Sequence, residues 1–357
     1  MGKSKIEGLM MREIEDLVED FKSLTNEPSN LPFSINIAAL NIIWQLVASH
    51  RYDFGDKVVE DFMKRMNEFQ EKFLLLILPD FFPILEYIMP ESLINYLVGR
   101  KKICDYCQEF GTHIQHFIDE HLKTLDPNCP RDLIDEYLIE LKEKKSDEFS
   151  HFSMSDLIRT TFDLFFAGND TTSNMTRWIL TYMAKFPEIQ EKIQSEIDKV
   201  VPRDTLPGLQ HRNELAYLDA MINEVQRHAS MISLGNRSIV YGGLSHKDPT
   251  YFKDPDKFDP SRFLDENGKF ISTCDGFQAF GMGTRSFHYS CQGILYRKRQ
   301  CLGEQFARME LFLISASLLQ NFTFGPPEGE EISLEAERLP NVRVPLKKQK
   351  YLIKYRK

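Results

Sequence analysis

Ile6, Leu9, Met10, Leu17, Val18 and Phe21 recur at helical spacing, so residues 3–24 are predicted to form an amphipathic helix. Similar periodicity predicts helices near 34–49, 57–72, 92–124 and 131–143, the last starting after Pro130. The longest predicted helix covers 153–186. Ser153-x-x-Asp156 resembles a capping box at its start, and Pro187 ends it. At 1.5 Å per residue it would be roughly 50 Å long. Two more helices are expected at 187–201 and about 213–229. From 230 to 275 the chain turns to Gly, Pro, Asp and Lys, which predicts loops and short strands. A helix returns from Gly303 to about Gln320. Residues 323–357 are expected to be irregular or β, ending in a basic tail, KKQKYLIKYRK, expected to be a solvated face. The pattern is mainly α with small β-sheets.

The middle of the longest helix contradicts its own period. LFFAGNDTTSNMTRW puts Gly168, Asn169, Asp170, Thr171 and Thr172 together, all poor formers of a helix interior. Such a local failure marks either a functional kink or a loop joining two shorter helices. Asn174-Met175-Thr176 is a glycosylation sequon, but its place in the helix argues against modification. In the 213–229 helix, a spacing of three puts Glu224 and Arg227 on one face, where they can pair.

Composition narrows the class. Of 357 residues, 42% are hydrophobic, enough for a substantial core. Twenty-seven phenylalanines fit a helical interior with an apolar pocket, or simply an aromatic core. A net charge of −9 argues against nucleic acid as a partner. Six scattered cysteines make no disulfide framework, which points to a reducing compartment. Cys104 and Cys107 form a lone C-x-x-C, weak as a zinc or redox site without a second pair. The N-terminus shows no secretory signal, and Ile6 breaks the myristoylation pattern. No apolar run is long enough to span a membrane. FLLLILPDFFPILEYIMP, residues 73–90, fits a membrane-surface segment or a buried helix followed by a proline-rich loop.

Four motifs in order, AGNDTT (167–172), EVQR (224–227), FKDPDKFDPSRF (252–263) and RQCLG (299–303), resemble the cytochrome P-450 superfamily of haem-thiolate monooxygenases. EHLKTLDPNCPRDLIDEYLIELK (120–142) and FPEIQEKIQSEID (186–198) resemble the animal microsomal type related to family two. The resemblance covers nearly all of 1–357, read as a single domain with the cytochrome P-450 fold, incomplete at its N-terminus.

The resemblance implies haem b held by one cysteine thiolate, whose electron push favours O–O cleavage. The ligand loop of such proteins reads Phe-x-x-Gly-x-Arg-x-Cys-x-Gly. Here two cysteines compete, Cys291-Gln292-Gly293 and Cys301-Leu302-Gly303. Cys301 precedes an apolar-striped helix whose N-terminal dipole favours an anion, and Cys291 does not, so Cys301 is preferred. Removing TRSFHYSCQGILYR, residues 284–297, leaves Phe280, Gly283, Arg299, Cys301 and Gly303 in the family's order. That stretch looks like an insertion, as a retained intron or misplaced splice junction would produce. It separates groups that must cooperate, although a surface insertion costs little loop entropy.

By the same resemblance, Asp170 and Thr171 are the acid–alcohol pair that handles dioxygen and protons, and Ala167 and Gly168 leave room for oxygen. Phe165 and Phe166 face a substrate pocket or the core. Glu224, Arg227 and Arg262 match a structural ion-pair triad. The expected partners are O2, an apolar small-molecule substrate (xenobiotic, fatty acid or steroid-like), an NADPH-dependent flavoprotein reductase near Lys298 and Arg299, and cytochrome b5. The implied location is the cytoplasmic face of the endoplasmic reticulum membrane.

Four departures accompany the resemblance. The anchor, first sheet and early helices of the family have no counterpart, which leaves a cytoplasmic location open. The segment after Arg227 is too short for the usual strand pair. The third departure is the insertion. The fourth is residues 334–357, where the final hairpin is not recognisable. The rival expectation is therefore a catalytically inactive, haem-free fragment, the product of a pseudogene or of a faulty gene model.

Overall fold

In the computed structural model, residues 3–65, 90–144, 152–231, 245–272, 274–281, 300–338 and 343–356 are described. The chain packs as two compact units, Asn36–Thr171 and Met1–Ile35 with Thr172–Lys357. Helices dominate both, as the periodicity predicts.

The smaller unit holds most of α2 (Ser34–Ala48), a helical stretch at 57–65, α3 (Glu91–Val98), α4 (Arg100–Thr124), α5 (Leu133–Glu143) and the first part of α6 (Met154–Lys185). The helix predicted at 92–124 is two helices. Gly99 breaks it at φ 67°, a left-handed conformation that only glycine adopts cheaply. Aromatic rings form this unit's core. Trp44 meets Phe117 and Phe165 edge-on at 5.4 and 5.2 Å, and Phe110 packs on Phe165 at 4.7 Å. Phe165 is thus a core residue, while half-buried Phe166 stacks on Phe162.

The larger unit holds α1 (Lys3–Ser23), α7 (Pro187–Val200), α8 (Ala216–Ala229) and α9 (Glu304–Asn321). Met10, Ile14, Leu17 and Phe21 form the buried stripe of α1, as their spacing predicts. Three strands, β1 (Pro28–Ser29), β2 (Phe322–Gly325) and β5 (Tyr351–Tyr355), make an antiparallel sheet in the order β1-β5-β2. The basic tail is therefore not a solvated face. YLIKY is the central strand, with Tyr351 and Ile353 buried and the lysines left outside. Charge count hid a short alternation of period two. Residues 334–357 also hold a second antiparallel pair, β3 (Ala336–Arg338) with β4 (Arg343–Pro345), too short to be read from pattern.

The outer edge of β2 is closed by a side chain. The Gln190 amide donates to Phe324 O at 2.9 Å and accepts from Phe324 N at 2.8 Å, and it also donates to Met183 O. A buried glutamine thus stands in for a fourth strand. Gln190→Leu leaves the Phe324 amide unpaired in the core. Urea unfolding is expected to show a loss of about 2–3 kcal/mol.

Candidate functional site

The long helix α6 runs unbroken from Met154 to Lys185, so the weak formers in its middle make no loop. Ser153 caps it, its Oγ accepting from Asp156 N at 3.1 Å. Each weak former has a local use. Thr171 Oγ1 donates back to Ala167 O, one turn earlier, at 2.8 Å. Asn169 Nδ2 contacts Met63 Sδ at 3.5 Å, and Asp170 is buried. Ala167 is exposed and Thr171 partly so, and their spacing puts both on one open face of the helix.

Gly168 lies in a tight helix contact. A Cβ there would lie 3.1 Å from Ile43 Cγ1, so Ile43 of α2 packs closely against this glycine. The missing side chain serves helix packing, and Ala167 is the small residue on the open face.

Thr172 begins the other unit's share of α6. Its hydroxyl bonds the carboxyl of Glu310 on α9. Glu310 is fully buried, and desolvation pushes its pKa well above the usual carboxylate range. Its Oε1 has no hydrogen-bond partner among the described residues. The sequence reading missed Glu310. A lone carboxylate inside ARMELFLISASLL was the available signal.

The three triad residues converge. Arg227 donates to Glu224 through Nε at 2.7 Å and Nη2 at 2.9 Å, with both side chains wholly buried. Arg262 Nε lies 3.4 Å from Glu224 Oε1. Arg227 also donates to His246 O at 2.7 Å, and Asp259 N donates to Glu224 Oε1 at 2.8 Å. Arg262 reaches the carbonyls of Lys253, Asp254 and Lys257. One helix face thereby organises the whole 246–262 loop. His246 is neutral: it accepts from Gln278 N at Nε2, and burial, with Arg227 adding to it, lowers its pKa to about 4.

This loop leads to the ligand segment. Gly281, which the sequence reading did not single out, turns the chain at φ 89°. The described chain resumes at Gln300. Phe280 and Cys301 are nonetheless adjacent, the Cys301 N–H donating to Phe280 O at 3.0 Å. The two ends that flank the undescribed stretch therefore stand side by side. Gly283, Cys291, Arg299 and Lys298, like residues 73–89, lie outside the described residues.

Cys301 is exposed and free, and α9 begins three residues on with Gly303 as its N-cap. The Gly303 N–H bonds Sγ and pulls the thiol pKa down, but desolvation, the largest influence, raises it, and Glu304 adds to the rise. The net shift is upward, so the helix N-terminus alone does not make Cys301 a thiolate. The donor set nevertheless fits haem iron. It is a single uncommitted sulfur with a backbone N–H aimed at it, and a Cβ on Gly303 would only just touch that sulfur, at 4.0 Å.

Among the described residues one other cluster has metal-ligand chemistry, His121, Asp132 and Asp135. Its own protons fill it. His121 faces two acceptors at 2.7 Å, Phe117 O and Asp132 Oδ2, and so carries both ring protons. Asp135 takes Arg131 in a two-pronged pair at 2.6 and 2.9 Å. Cys104 and Cys107 are exposed on α4 and join no such group among the described residues. No described helix is long and apolar enough to cross a membrane.

Comparison with known proteins follows the same outline. The cytochrome P-450 family model matches residues 1–240 and 230–355. Cytochrome P-450 2L1 of Panulirus argus is 38% identical, over 94% of this chain and 70% of that protein. Cytochrome P-450 2J2 of Homo sapiens is 34% identical, over 94% of this chain and 66% of its own length. Cytochrome P-450 2E1 of Mesocricetus auratus is 34% identical, over 90% and 65%. The chain spans about two thirds of the length of these relatives.

Two predictions test the triad region. Arg227→Met leaves Glu224 buried beside the more distant Arg262, and chemical unfolding is expected to show a loss of about 3–5 kcal/mol. His246 has a folded pKa below its unfolded 6.5, so the unfolded chain takes up protons first as pH falls. Its stabilising contribution is complete above pH 6.5 and drains away toward pH 4. From pH 7 to pH 5 the intact chain should lose about 2 kcal/mol that His246→Gln does not lose. Urea midpoints at the two pH values measure the difference.

Proposed function

The chain belongs to the cytochrome P-450 family, and from that premise we propose that it is a haem-thiolate monooxygenase acting on apolar small molecules. The observation that carries this reading is the Phe280–Cys301 hydrogen bond, with the Gly303 N–H on Sγ. These contacts hold a cysteine in a ligand's setting despite the insertion. When bound, haem b supplies the site of dioxygen activation.

The protein's own residues have separate tasks. Cys301 Sγ would hold the iron, and the thiol would give up its proton to do so, as metal binding to a thiol requires. The Gly303 N–H then tempers the sulfur's charge. Phe280 and Gly303 position the sulfur from either side. Ala167 leaves one face of α6 clear for substrate and oxygen. Thr171 Oγ1, which donates to Ala167 O at rest, is a hydroxyl that can turn its proton to that face. Asp170 is the acid that replenishes it. By family resemblance Gly283 and Arg299 would belong to the same loop, and the Arg299 charge would suit a haem propionate.

Electrons come from an NADPH-dependent flavoprotein reductase docked on the Cys301 side, with cytochrome b5 as a further donor. The site of action is the cytoplasmic face of the endoplasmic reticulum. The reductase side is supported by the exposure of Cys301 and of Leu302 beside it.

The test is the absorption spectrum of the purified chain after haem is supplied, reduced and treated with carbon monoxide. The red-shifted Soret band of thiolate ligation is expected, lost in Cys301→Ser and kept in Cys291→Ser. No haem uptake, or a band like that of histidine-ligated haem, would favour the inactive fragment.

A further inference from the structure

Arg308 lies on α9, seven residues after Cys301, and nothing above gives it a task. Its guanidinium makes three contacts that together surround the ligand segment. Nε donates to Glu304 Oε1 at 3.0 Å. Nη1 donates to Asn223 Oδ1 on α8 at 3.2 Å, next to the buried Glu224. The guanidinium carbon sits 4.8 Å from the centre of the Phe280 ring. Two of these contacts continue to Cys301. Phe280 O accepts the Cys301 N–H. Glu304 also accepts from Nε2 of Gln300, the residue immediately before the cysteine.

We propose that Arg308 is a positioning residue that clamps the Cys301 segment from both sides and anchors it to α8. Its planar fork suits this task. It stacks on a ring face while its edges donate in two directions, which an ammonium group cannot copy. Glu304 is held in this clamp by Arg308 on one side and Gln300 on the other. The clamp also explains how Phe280 and Cys301 stay together across an insertion. Their single backbone hydrogen bond is backed by a side-chain bridge from Phe280 to Gln300, the residue before the cysteine. This inference rests on the reading of Cys301 as the haem ligand.

The first measurement needs no haem. Peptide-resolved mass spectrometry follows alkylation of each cysteine in the folded chain. Arg308→Ala is expected to speed alkylation of Cys301 by about fivefold, the equivalent of losing one cation–π contact. Cys129, exposed on the other unit, should react at an unchanged rate. Arg308→Lys should recover only part of the protection. After haem is supplied, Arg308→Ala should shift part of the carbon monoxide spectrum away from the thiolate-type band.

If Arg308→Ala fails to fold, Phe280→Leu decides the matter. It removes the ring and keeps the Arg308–Glu304 pair, and the same faster alkylation is expected. Unchanged Cys301 reactivity in the folded variant would overturn the proposal. A thiolate-type band that survives Cys301→Ser would overturn the haem-ligand reading instead, whatever Arg308 does.

Discussion

Glu224 and Arg227 form an ion pair with no solvent exposure, and the loops around it are arranged to keep both charges satisfied. Such a pair is tolerable only if every remaining donor and acceptor finds a partner. Arg227 takes the His246 carbonyl, Glu224 takes the Asp259 N–H, and Arg262 spends its fork on three more carbonyls. The demand for satisfaction thus dictates the path of residues 246–262, which have no regular strand to guide them. The neighbouring residue on the same helix, Asn223, carries the order on to Arg308 and so to Phe280 and Cys301.

The Phe280–Cys301 segment shows how two residues far apart in sequence are held together. Twenty residues separate Phe280 from Cys301, against six once the 14-residue stretch is removed. Closing the longer loop costs only about 1 kcal/mol more, because loop entropy grows with the logarithm of length. One backbone hydrogen bond and one stacked arginine are of sufficient size to offset that. What matters is that the loop's two ends are held.

The electrostatics of the two family motifs differ from what helix position alone suggests. At Cys301 the dipole of α9 and the Gly303 N–H oppose desolvation and the nearby Glu304, and the thiol pKa ends above its ordinary value. Iron, as a strong local charge, would reverse that balance. At Glu310 the Thr172 hydroxyl opposes desolvation, which nonetheless pushes the carboxyl pKa well above the usual range. The carboxyl bonds the hydroxyl of Thr172, the last residue of AGNDTT, so that motif has a buried acid as a partner that its own letters do not mention.

The sequence by itself determined the helices, because a period of 3.6 carried over ten or more residues leaves little choice about which face is buried. α1, α6, α7 and α9 stand within a residue or two of their predicted spans. It also determined the family, since four motifs in order specify residue types that one cofactor and one ion-pair triad require. Tertiary structure decided the rest. Whether a glycine leaves room for a ligand or for Ile43 depends on what packs against it. Whether KKQKYLIKYRK is a solvated tail or a central strand depends on a partner strand about thirty residues away. Whether Phe280 and Cys301 stand together depends on Phe280 O and Cys301 N, two atoms that meet only once the chain is folded.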